Sequence, residues 1–284
     1  MKIAITGATG QLGRLVVEKL KEQIGAKDII ALVRNTEKAQ SLGVEVRAFD
    51  YNQPTGLAAA LEGIDRLLLI SANEIGKRTA QHQSVIDAAK VAGVKFVAYT
   101  SLLRADESTL NLAEEHLATE NLIKDSELEF TILRNGWYTE NYTGSITGSL
   151  AAGAYIGSAA EGKIASASRA DFADAAVAIL TGEGHEGKTY ELAGDQAYTL
   201  ADLASEVSKQ SGKNIPYHNL SEQEYSETLI KFGVPDAFAP MIASWDVAAS
   251  RGDLYSDDKT LSQLIGHPTT PLSETVKTEL AANS

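Results

Sequence analysis

The sequence contains no cysteine, which removes several kinds of chemistry at once. Disulfide bonds, zinc–thiolate sites, iron–sulfur clusters and a cysteine nucleophile are all excluded, and the absence fits a reducing compartment. The sequence also has no stretch that approaches the roughly 18 consecutive apolar residues of a membrane span. We therefore expect a cytoplasmic protein with no membrane partner.

Positive charge is scarce as well. The 25 lysines and arginines face 38 aspartates and glutamates, so the formal net charge is −13. A nucleic acid would be repelled by such a surface, and no nucleic-acid partner is expected. Histidine, aspartate and glutamate form no group with the spacing of a metal site, so no metal is predicted. Hydrophobic residues make up 44% of the 284 residues, which is typical of a globular protein.

Through the first half of the chain, short apolar runs typical of strands alternate with segments whose apolar residues have helical spacing. This order of elements predicts an α/β fold with a doubly wound, Rossmann-type parallel sheet and a smaller mixed C-terminal lobe. The expected strands are Lys2–Thr6, Asp28–Val33, Val44–Phe49, Arg66–Ser71, Phe96–Ser101 and Glu129–Leu133.

The alternation loosens after about residue 135. We predict a dinucleotide-binding domain over residues 1–135 and a smaller substrate-binding lobe over residues 136–284 that interleaves with the last strands of the sheet. Ile215–Gly266 is expected to be irregular, because it carries three of the six prolines. Regular structure is still expected as strands at Lys163–Ala165 and Thr189–Leu192 and as helices at Ala170–Leu180 and Leu200–Gln210.

A glycine-rich motif lies between the first strand and the first helix. Gly7 permits a tight turn, Gly10 lets the backbone approach a diphosphate, and Gly13 lets the helix pack against the strand. The helix N-terminus then offers N–H groups and positive partial charge to phosphates. Three glycines alone would be weak evidence, but their position inside a βαβ unit predicts a dinucleotide site. Its expected contacts are Gly7, Ala8, Thr9, Gly10, Gln11, Leu12 and Gly13.

The residue that ends the second strand indicates which dinucleotide binds. Enzymes that use NAD usually place a carboxylate there to accept hydrogen bonds from the ribose 2′-hydroxyl, whereas this chain has Arg34. A guanidinium can bind a 2′-phosphate through two hydrogen bonds. Arg34 therefore favours NADP(H), and the alternative is an ordinary solvated arginine.

The remaining cofactor contacts are expected at the carboxyl ends of the other strands, where Rossmann folds bind their ligands. An ordinary loop role is the alternative for each of them. We predict Asp50 and Tyr51 beside the adenine, Ser71, Ala72, Asn73 and Glu74 beside the ribose and nicotinamide, and further contacts from Thr100, Asn135, Gly136, Trp137 and Tyr138.

Several segments resemble one known family. Gly7–Gly13, Val33–Asn35 and Tyr99–Leu102 are similar to the NmrA-like group of atypical short-chain dehydrogenase/reductases. Thr131–Tyr142 and Gly184–Leu192 resemble, within that group, the bacterial NADPH:quinone oxidoreductases of type 2 and, less closely, the triphenylmethane dye reductases. The resemblance implies hydride transfer from NADPH to a small quinone-like acceptor without a flavin. It also implies cofactor contacts from Gly7–Leu12, Arg34, Ala72–Glu74 and Asn135–Tyr142.

The Tyr-x-x-x-Lys pair that most of the wider superfamily uses for proton transfer is absent. Leu112 and His116 stand at its two positions, which counts against alcohol dehydrogenation and epimerisation. A quinone does not need the pair, because hydride addition gives an anion delocalised over a ring. The catalytic residue stays unassigned, with Tyr138 and His116 as candidates. A structural role is the alternative for His116, and His82 is expected to be solvated.

Aromatic and amide side chains suit a flat, weakly polar acceptor. The expected substrate contacts are Trp137, Tyr138, Asn141, Tyr142 and Trp245, with Phe232 and Phe238 as further lid contacts. Core packing is the alternative for each lid aromatic residue.

Two functions remain open: a reductase of quinones or similar conjugated acceptors, and a redox sensor that binds NADP(H) without turnover. A homodimer is compatible with either function.

Overall fold

The structure is a computed structural model that describes residues 1–282. It divides into two compact units, each discontinuous in sequence. The first unit comprises Met1–Glu107, Asn111–Asn135 and Arg169–Leu192. The second unit comprises Ser108–Leu110, Gly136–Ser168 and the described residues from Ala193 onward.

The strands of the described residues, in chain order, are β1 (Ile3–Thr6), β2 (Ile29–Val33), β3 (Glu45–Ala48), β4 (Arg66–Leu69), β5 (Phe96–Leu102), β6 (Glu129–Asn135), β7 (Tyr155–Gly157), β8 (Lys188–Leu192) and β9 (Tyr217–Asn219).

The α-helices of the same residues are α1 (Gln11–Ile24), α2 (Leu57–Ala60), α3 (Arg78–Ala92), α4 (Ala113–Lys124), α5 (Glu140–Thr143), α6 (Ile146–Ala152), α7 (Arg169–Thr181), α8 (Leu200–Ser211), α9 (Glu222–Lys231), α10 (Ala239–Ser250), α11 (Thr260–Ile265) and α12 (Leu272–Ala282). Short 3₁₀ helices lie at Ala26–Asp28 and Glu37–Leu42.

The first unit is built on a seven-stranded sheet in the order β3-β2-β1-β4-β5-β6-β8, in which every neighbouring pair is parallel. This confirms the predicted doubly wound Rossmann sheet. Ile3 on β1 lies opposite Ile29 on β2 and Arg66 on β4, so the strand order reverses direction at β1. Ligands of such sheets bind at the carboxyl ends of the strands beside this reversal. The glycine-rich motif begins there, directly after β1.

The core of the first unit explains why β1, β2 and β5 are buried throughout. β1, β2 and β5 are buried along their whole length, as expected for a parallel sheet covered by helices on both faces. α1 packs against α7, and α3 packs against both α2 and α4. Side chains such as Leu32, Leu67 and Val85 meet in one fully buried cluster. Burying each of these contributes roughly 1.5–3 kcal/mol.

The second unit contains a two-stranded parallel sheet of β7 and β9. The predicted strand at Lys163–Ala165 is wrong, since Ile164 forms only an isolated bridge with Tyr198. Its backbone partners are divided between segments: Ile164 N donates to Tyr198, whereas Ala165 N donates to Leu254. The pairing of Ile164 with Tyr198 does not extend to a second residue pair, so no ladder and no regular strand forms.

The expectation that Ile215–Gly266 is irregular is also wrong, because α9, α10 and α11 lie within it. Ser221 caps α9 through a reciprocal pair of hydrogen bonds with Glu224, and a proline lies in the first turn of α10. Both are recognised helix-start signals that the prolines of this region obscured. Among the residues that the structure describes, no helix is both long and apolar enough to cross a membrane.

Candidate functional site

The glycine-rich motif forms a compact turn at the start of α1. Gly10 N donates to the Gly7 carbonyl at 2.8 Å, and Gly7 adopts a φ of +56°, a left-handed conformation that favours glycine. A Cβ on Gly13 would collide with the Gly7 carbonyl oxygen, so only glycine lets α1 begin this close to β1. The first turn of α1 therefore faces the loop with its backbone N–H groups, the arrangement that binds phosphate.

A cavity of about 460 Å³ lies in the first unit beside this turn. It gathers residues that follow β1, β2, β3 and β4, as the strand order requires. The predicted contacts that line it are Gly7, Thr9, Gly10, Arg34, Asp50, Tyr51, Ser71, Ala72, Asn73 and Glu74.

Eight further residues line the same cavity and were not predicted from the sequence. Lys38 brings a second cation to the wall that holds Arg34, and its backbone N–H donates to Asn35 Oδ1 at 3.2 Å. The signal for it was available, because Lys38 is a second cation only four positions after Arg34, at the start of the 3₁₀ helix that follows β2. The full set is Leu32, Val33, Asn35, Lys38, Phe49, Asn52, Ile70 and Gln81.

The residues present fit a dinucleotide with an additional phosphate. Gly10 leaves open a cradle that a Cβ would fill, since a Cβ there would stand 3.1 Å from the Gly7 carbonyl oxygen. Arg34 and Lys38 supply cations for a monoester phosphate at one end. The cavity volume falls within the range of small-molecule sites.

The loop after β4 is held by two side chains of α3. Ala72 N donates to His82 Nε2 at 2.9 Å, while Arg78 Nε donates to the Ala72 carbonyl at 2.7 Å. Because a backbone N–H can only donate, His82 Nε2 is an acceptor and its proton lies on Nδ1, 2.9 Å from Thr119 Oγ1. Both backbone polar groups of one cavity-lining residue, Ala72, are thus fixed in orientation.

The prediction that His82 is solvated is wrong, because the side chain is completely buried. Burial, together with the nearby charge of Arg78, lowers the pKa of His82 to about 3. The two glutamines that flank His82 in the sequence suggested a polar face. The partners that make its burial favourable lie on other elements.

The other predicted cofactor contacts do not line this cavity in the described residues; they are Ala8, Gln11, Leu12, Gly13, Thr100, Asn135, Gly136, Trp137 and Tyr138. Thr100 reaches the cavity through Ser71, whose N–H donates to Thr100 Oγ1 at 2.9 Å. Asn135 is buried at the end of β6, and its Oδ1 has no hydrogen-bond partner within residues 1–282. Gly136, Trp137 and Tyr138 belong to the second unit.

His116, a candidate proton donor, is buried in the first unit. Its Nδ1 lies 2.8 Å from the hydroxyl of Tyr99, itself fully buried. Burial, with smaller contributions from the charges of Arg78 and His82, lowers the pKa of His116 to about 3. The ring is therefore neutral at neutral pH, and this environment favours the structural alternative for His116.

The second unit holds the predicted acceptor contacts. The rings of Trp137 and Trp245 pack edge to face with centroids 5.4 Å apart. The Tyr142 hydroxyl donates to Asp246 Oδ1 at 3.3 Å, and Ser158 N donates to Asp246 Oδ2 at 2.9 Å. Burial raises the pKa of Asp246 to about 6. Tyr142 is therefore held in place by a buried carboxyl group.

The remaining acceptor candidates differ in exposure. Tyr138 is half-buried and Asn141 is exposed. Phe232 and Phe238 are 65% and 51% exposed, so the core-packing alternative does not describe these two phenylalanines. Among the described residues, no cluster of three or more histidine, aspartate or glutamate side chains could hold a metal ion.

Comparison with known proteins gives matches along the whole chain. The profile of a family described as NAD(P)H-binding matches residues 7–183. The chain is 56% identical to quinone oxidoreductase 2 of Escherichia coli K12 over 96% of this chain and 97% of that protein.

Two solved structures are also similar. The NADPH complex of the Escherichia coli NADPH-dependent quinone oxidoreductase QOR2 superposes with a TM-score of 0.95 at 55% identity, covering 98% of this chain and 99% of the other. The NADP(H) complex of Citrobacter sp. triphenylmethane reductase has a TM-score of 0.95 at 43% identity, covering 98% and 100%.

Proposed function

Because the chain belongs to the NmrA-like NAD(P)H-binding family, we infer that it is an NADPH-dependent oxidoreductase that transfers a hydride to a quinone. The observation that carries this function is the 56% identity to a quinone oxidoreductase across almost the entire length of both chains. We further propose that the enzyme acts in the cytoplasm on a small-molecule acceptor. A homodimer stays a prediction.

We propose that the cavity of the first unit binds the phosphorylated adenosine half of NADPH. The backbone of Gly7–Gly10 would contact the diphosphate, and Arg34 with Lys38 would hold the 2′-phosphate. Ala72 and its neighbours would line the ribose from the opposite wall, in the orientation that Arg78 and His82 fix. The predicted contacts outside the cavity remain proposals for the rest of the cofactor.

NADPH, when bound, supplies the hydride. The chain contributes binding and orientation, since an aromatic hydroquinone anion is weakly basic and needs no strong acid. This agrees with the neutral, buried state of His116. We propose Trp137, Tyr138, Asn141, Tyr142 and Trp245 as acceptor contacts, because flat aromatic side chains bind a flat ring through stacked or edge-to-face contacts.

The cofactor assignment is tested by Arg34→Glu. We expect NADPH binding to weaken by about 100-fold, because a charge-assisted pair contributes up to about 3 kcal/mol and the new carboxylate repels the phosphate. NADH binding should change by less than about threefold. Titration calorimetry with both coenzymes measures the two losses. Arg251→Glu, an exposed charge reversal in the second unit, is the matched control. Equal losses for both coenzymes would refute the role of Arg34.

A redox sensor that binds NADP(H) without turnover is the alternative, and it is less well supported than the enzyme. Oxidation of NADPH can be followed by absorbance with several simple quinones and no added flavin. Enzyme-dependent oxidation is expected. If NADPH binds tightly and none of the quinones is reduced, the sensor is favoured.

A further inference from the structure

Gln81 on α3 is a polar residue of the cofactor cavity with an unused hydrogen-bond acceptor. The side chain is only 4% exposed although it lines the cavity. Its Nε2 donates to Asn52 Oδ1 at 3.0 Å. Its Oε1 is buried and has no hydrogen-bond partner within residues 1–282. A buried acceptor without a partner costs about 1–3 kcal/mol, so this atom is suited to a donor that the ligand brings.

The orientation of the Gln81 amide is dictated by the Glu74 carboxylate, to which Asn52 links it. Glu74 Oε1 accepts from Asn52 Nδ2 at 2.9 Å, and an ionised carboxylate can only accept. Asn52 must therefore direct its oxygen toward Gln81, and Gln81 must donate to that oxygen from its nitrogen. Gln81 Oε1 is left without a donor in the described residues. Lys77 Nζ, 3.1 Å from Glu74 Oε2, supports the ionised carboxylate.

The charge state of Glu74 is consistent with this series of hydrogen bonds. Hydrogen bonds from Asn52, then from Lys77 and Gln81, lower the pKa of Glu74. The carboxylate is thus ionised throughout the neutral pH range. At neutral pH the donors and acceptors of the hydrogen bonds that link Glu74, Asn52 and Gln81 therefore keep their order.

The covalent structure of NADPH places a purine base in this cavity. The 2′-phosphate and the adenine are attached to the same ribose, so a phosphate at Arg34 brings the base within one sugar of that residue. Phe49, Tyr51 and Ile70 provide apolar wall for a planar ring. Gln81 is the buried polar residue of the same cavity, and the edge of adenine carries a 6-amino donor.

We propose that Gln81 Oε1 accepts a hydrogen bond from the 6-amino group of adenine and thereby makes the enzyme selective for 6-aminopurine over 6-oxopurine dinucleotides. This rests on the proposed function, because it presupposes NADPH in the cavity. A 6-oxo group would place a carbonyl oxygen opposite Gln81 Oε1, and two acceptors cannot form a hydrogen bond. The amide cannot rotate to present nitrogen instead, since Asn52 would then direct its oxygen at the Glu74 carboxylate.

Asp50, which also lines the cavity, is the alternative acceptor for contact with the base. Its Oδ1 accepts from Asn52 N at 3.0 Å and its Oδ2 accepts from Gln53 Nε2 at 3.2 Å, so both oxygens serve the turn after β3. Gln81 Oε1 has no such partner, and we therefore assign the selectivity to Gln81.

The experiment compares the affinities of NADPH and of reduced nicotinamide hypoxanthine dinucleotide phosphate, its 6-oxo analogue, by calorimetry. The wild type should prefer NADPH by about 10- to 100-fold, the effect of one buried hydrogen bond gained or lost. Gln81→Met, which keeps the length and removes the amide, should bring this ratio below about threefold. Glu74→Gln should lower the ratio with Gln81 intact, because an amide at residue 74 accepts either orientation of Asn52.

Asp50→Asn is the matched control and should keep the wild-type ratio. Equal affinity of the wild type for both dinucleotides, or a ratio lost in Asp50→Asn and kept in Gln81→Met, would overturn the assignment. Should Gln81→Met fail to fold by circular dichroism, the wild-type and Glu74→Gln ratios decide the question. Failure of the proposed function has a different signature, in which neither dinucleotide binds the folded wild type.

Discussion

Burial acts on titratable groups in both units, with opposite consequences for their response to acid. The first unit buries two histidines, and the pKa values of His82 and His116 are both lowered to about 3. The second unit buries Asp246, 3% exposed, whose pKa is raised to about 6. In each case burial favours the uncharged form. For a histidine that form lacks a proton, whereas for an aspartate it carries one.

The direction of the stability change follows from which state takes up the proton. An unfolded histidine binds its proton near pH 6.5 and the folded ones near pH 3, so stability is complete above pH 6.5 and is lost as the pH falls between these values. An unfolded aspartate binds its proton near pH 3.8 and folded Asp246 near pH 6, so stability rises as the pH falls through this range. Mild acid should therefore destabilise the first unit and stabilise the second.

The largest expected effect is the loss of stability of the first unit in acid. Lowering the pH from 7 to 5 should reduce the free energy of unfolding by about 2 kcal/mol for each histidine, because the histidine binds a proton in the unfolded state but not in the folded state. His82→Gln keeps an acceptor for Ala72 N–H and cannot be protonated, so it should remove about half of the loss. Urea denaturation of the wild type and of His82→Gln at the two pH values measures the loss of stability. An unchanged loss in His82→Gln would contradict the neutral, buried assignment.

An intermediate effect comes from a matched pair of glycine substitutions, one in each unit. A Cβ on Gly13 would collide with the Gly7 carbonyl oxygen, and one on Gly194 would collide with the Ser166 carbonyl oxygen. Each alanine variant should cost about 1–3 kcal/mol in its own unit. Gly13→Ala should bind adenosine 2′,5′-bisphosphate about 10- to 100-fold more weakly, as that cost predicts.

The glycine pair is read out separately in the two units. Trp137 and Trp245 are the two tryptophans of the chain, and both lie in the second unit. Gly194→Ala should shift the urea midpoint of tryptophan fluorescence while leaving the affinity for adenosine 2′,5′-bisphosphate unchanged. The contrast between the units fails if Gly194→Ala impairs nucleotide binding as much as Gly13→Ala does.

The smallest effect is the gain of the second unit in acid. Between pH 7 and pH 5, protonation of Asp246 should stabilise this unit by about 1 kcal/mol. Asp246→Asn can still accept the Ser158 N–H but does not titrate, so its tryptophan-detected unfolding free energy should lack this gain. Were the variant to show the full gain, another group would be its source.

The fold of the first unit, and ten residues that line its cavity, could be predicted because their signals are local. β1, β2 and β5 are buried on both faces, and such strands are recognisable in a sequence as short, largely apolar runs. The helices after residue 215 were missed although Ser221 and Glu224 form a recognisable capping box. His82 was misjudged because a buried polar side chain depends on partners such as Thr119, 37 positions further along the chain.

The sequence by itself determined the glycine turn after β1 and the arginine that follows β2, on which the proposed preference for an additional phosphate rests. Gly7, Gly10 and Arg34 lie within one βαβ unit, where chain connectivity already places them together. Tertiary structure alone decided that Gln81 joins Asn52 and Glu74 and that Asp246 is buried beside Tyr142. Those contacts join separate segments of the chain, and the packing of helices sets which side chains meet and how much water they lose.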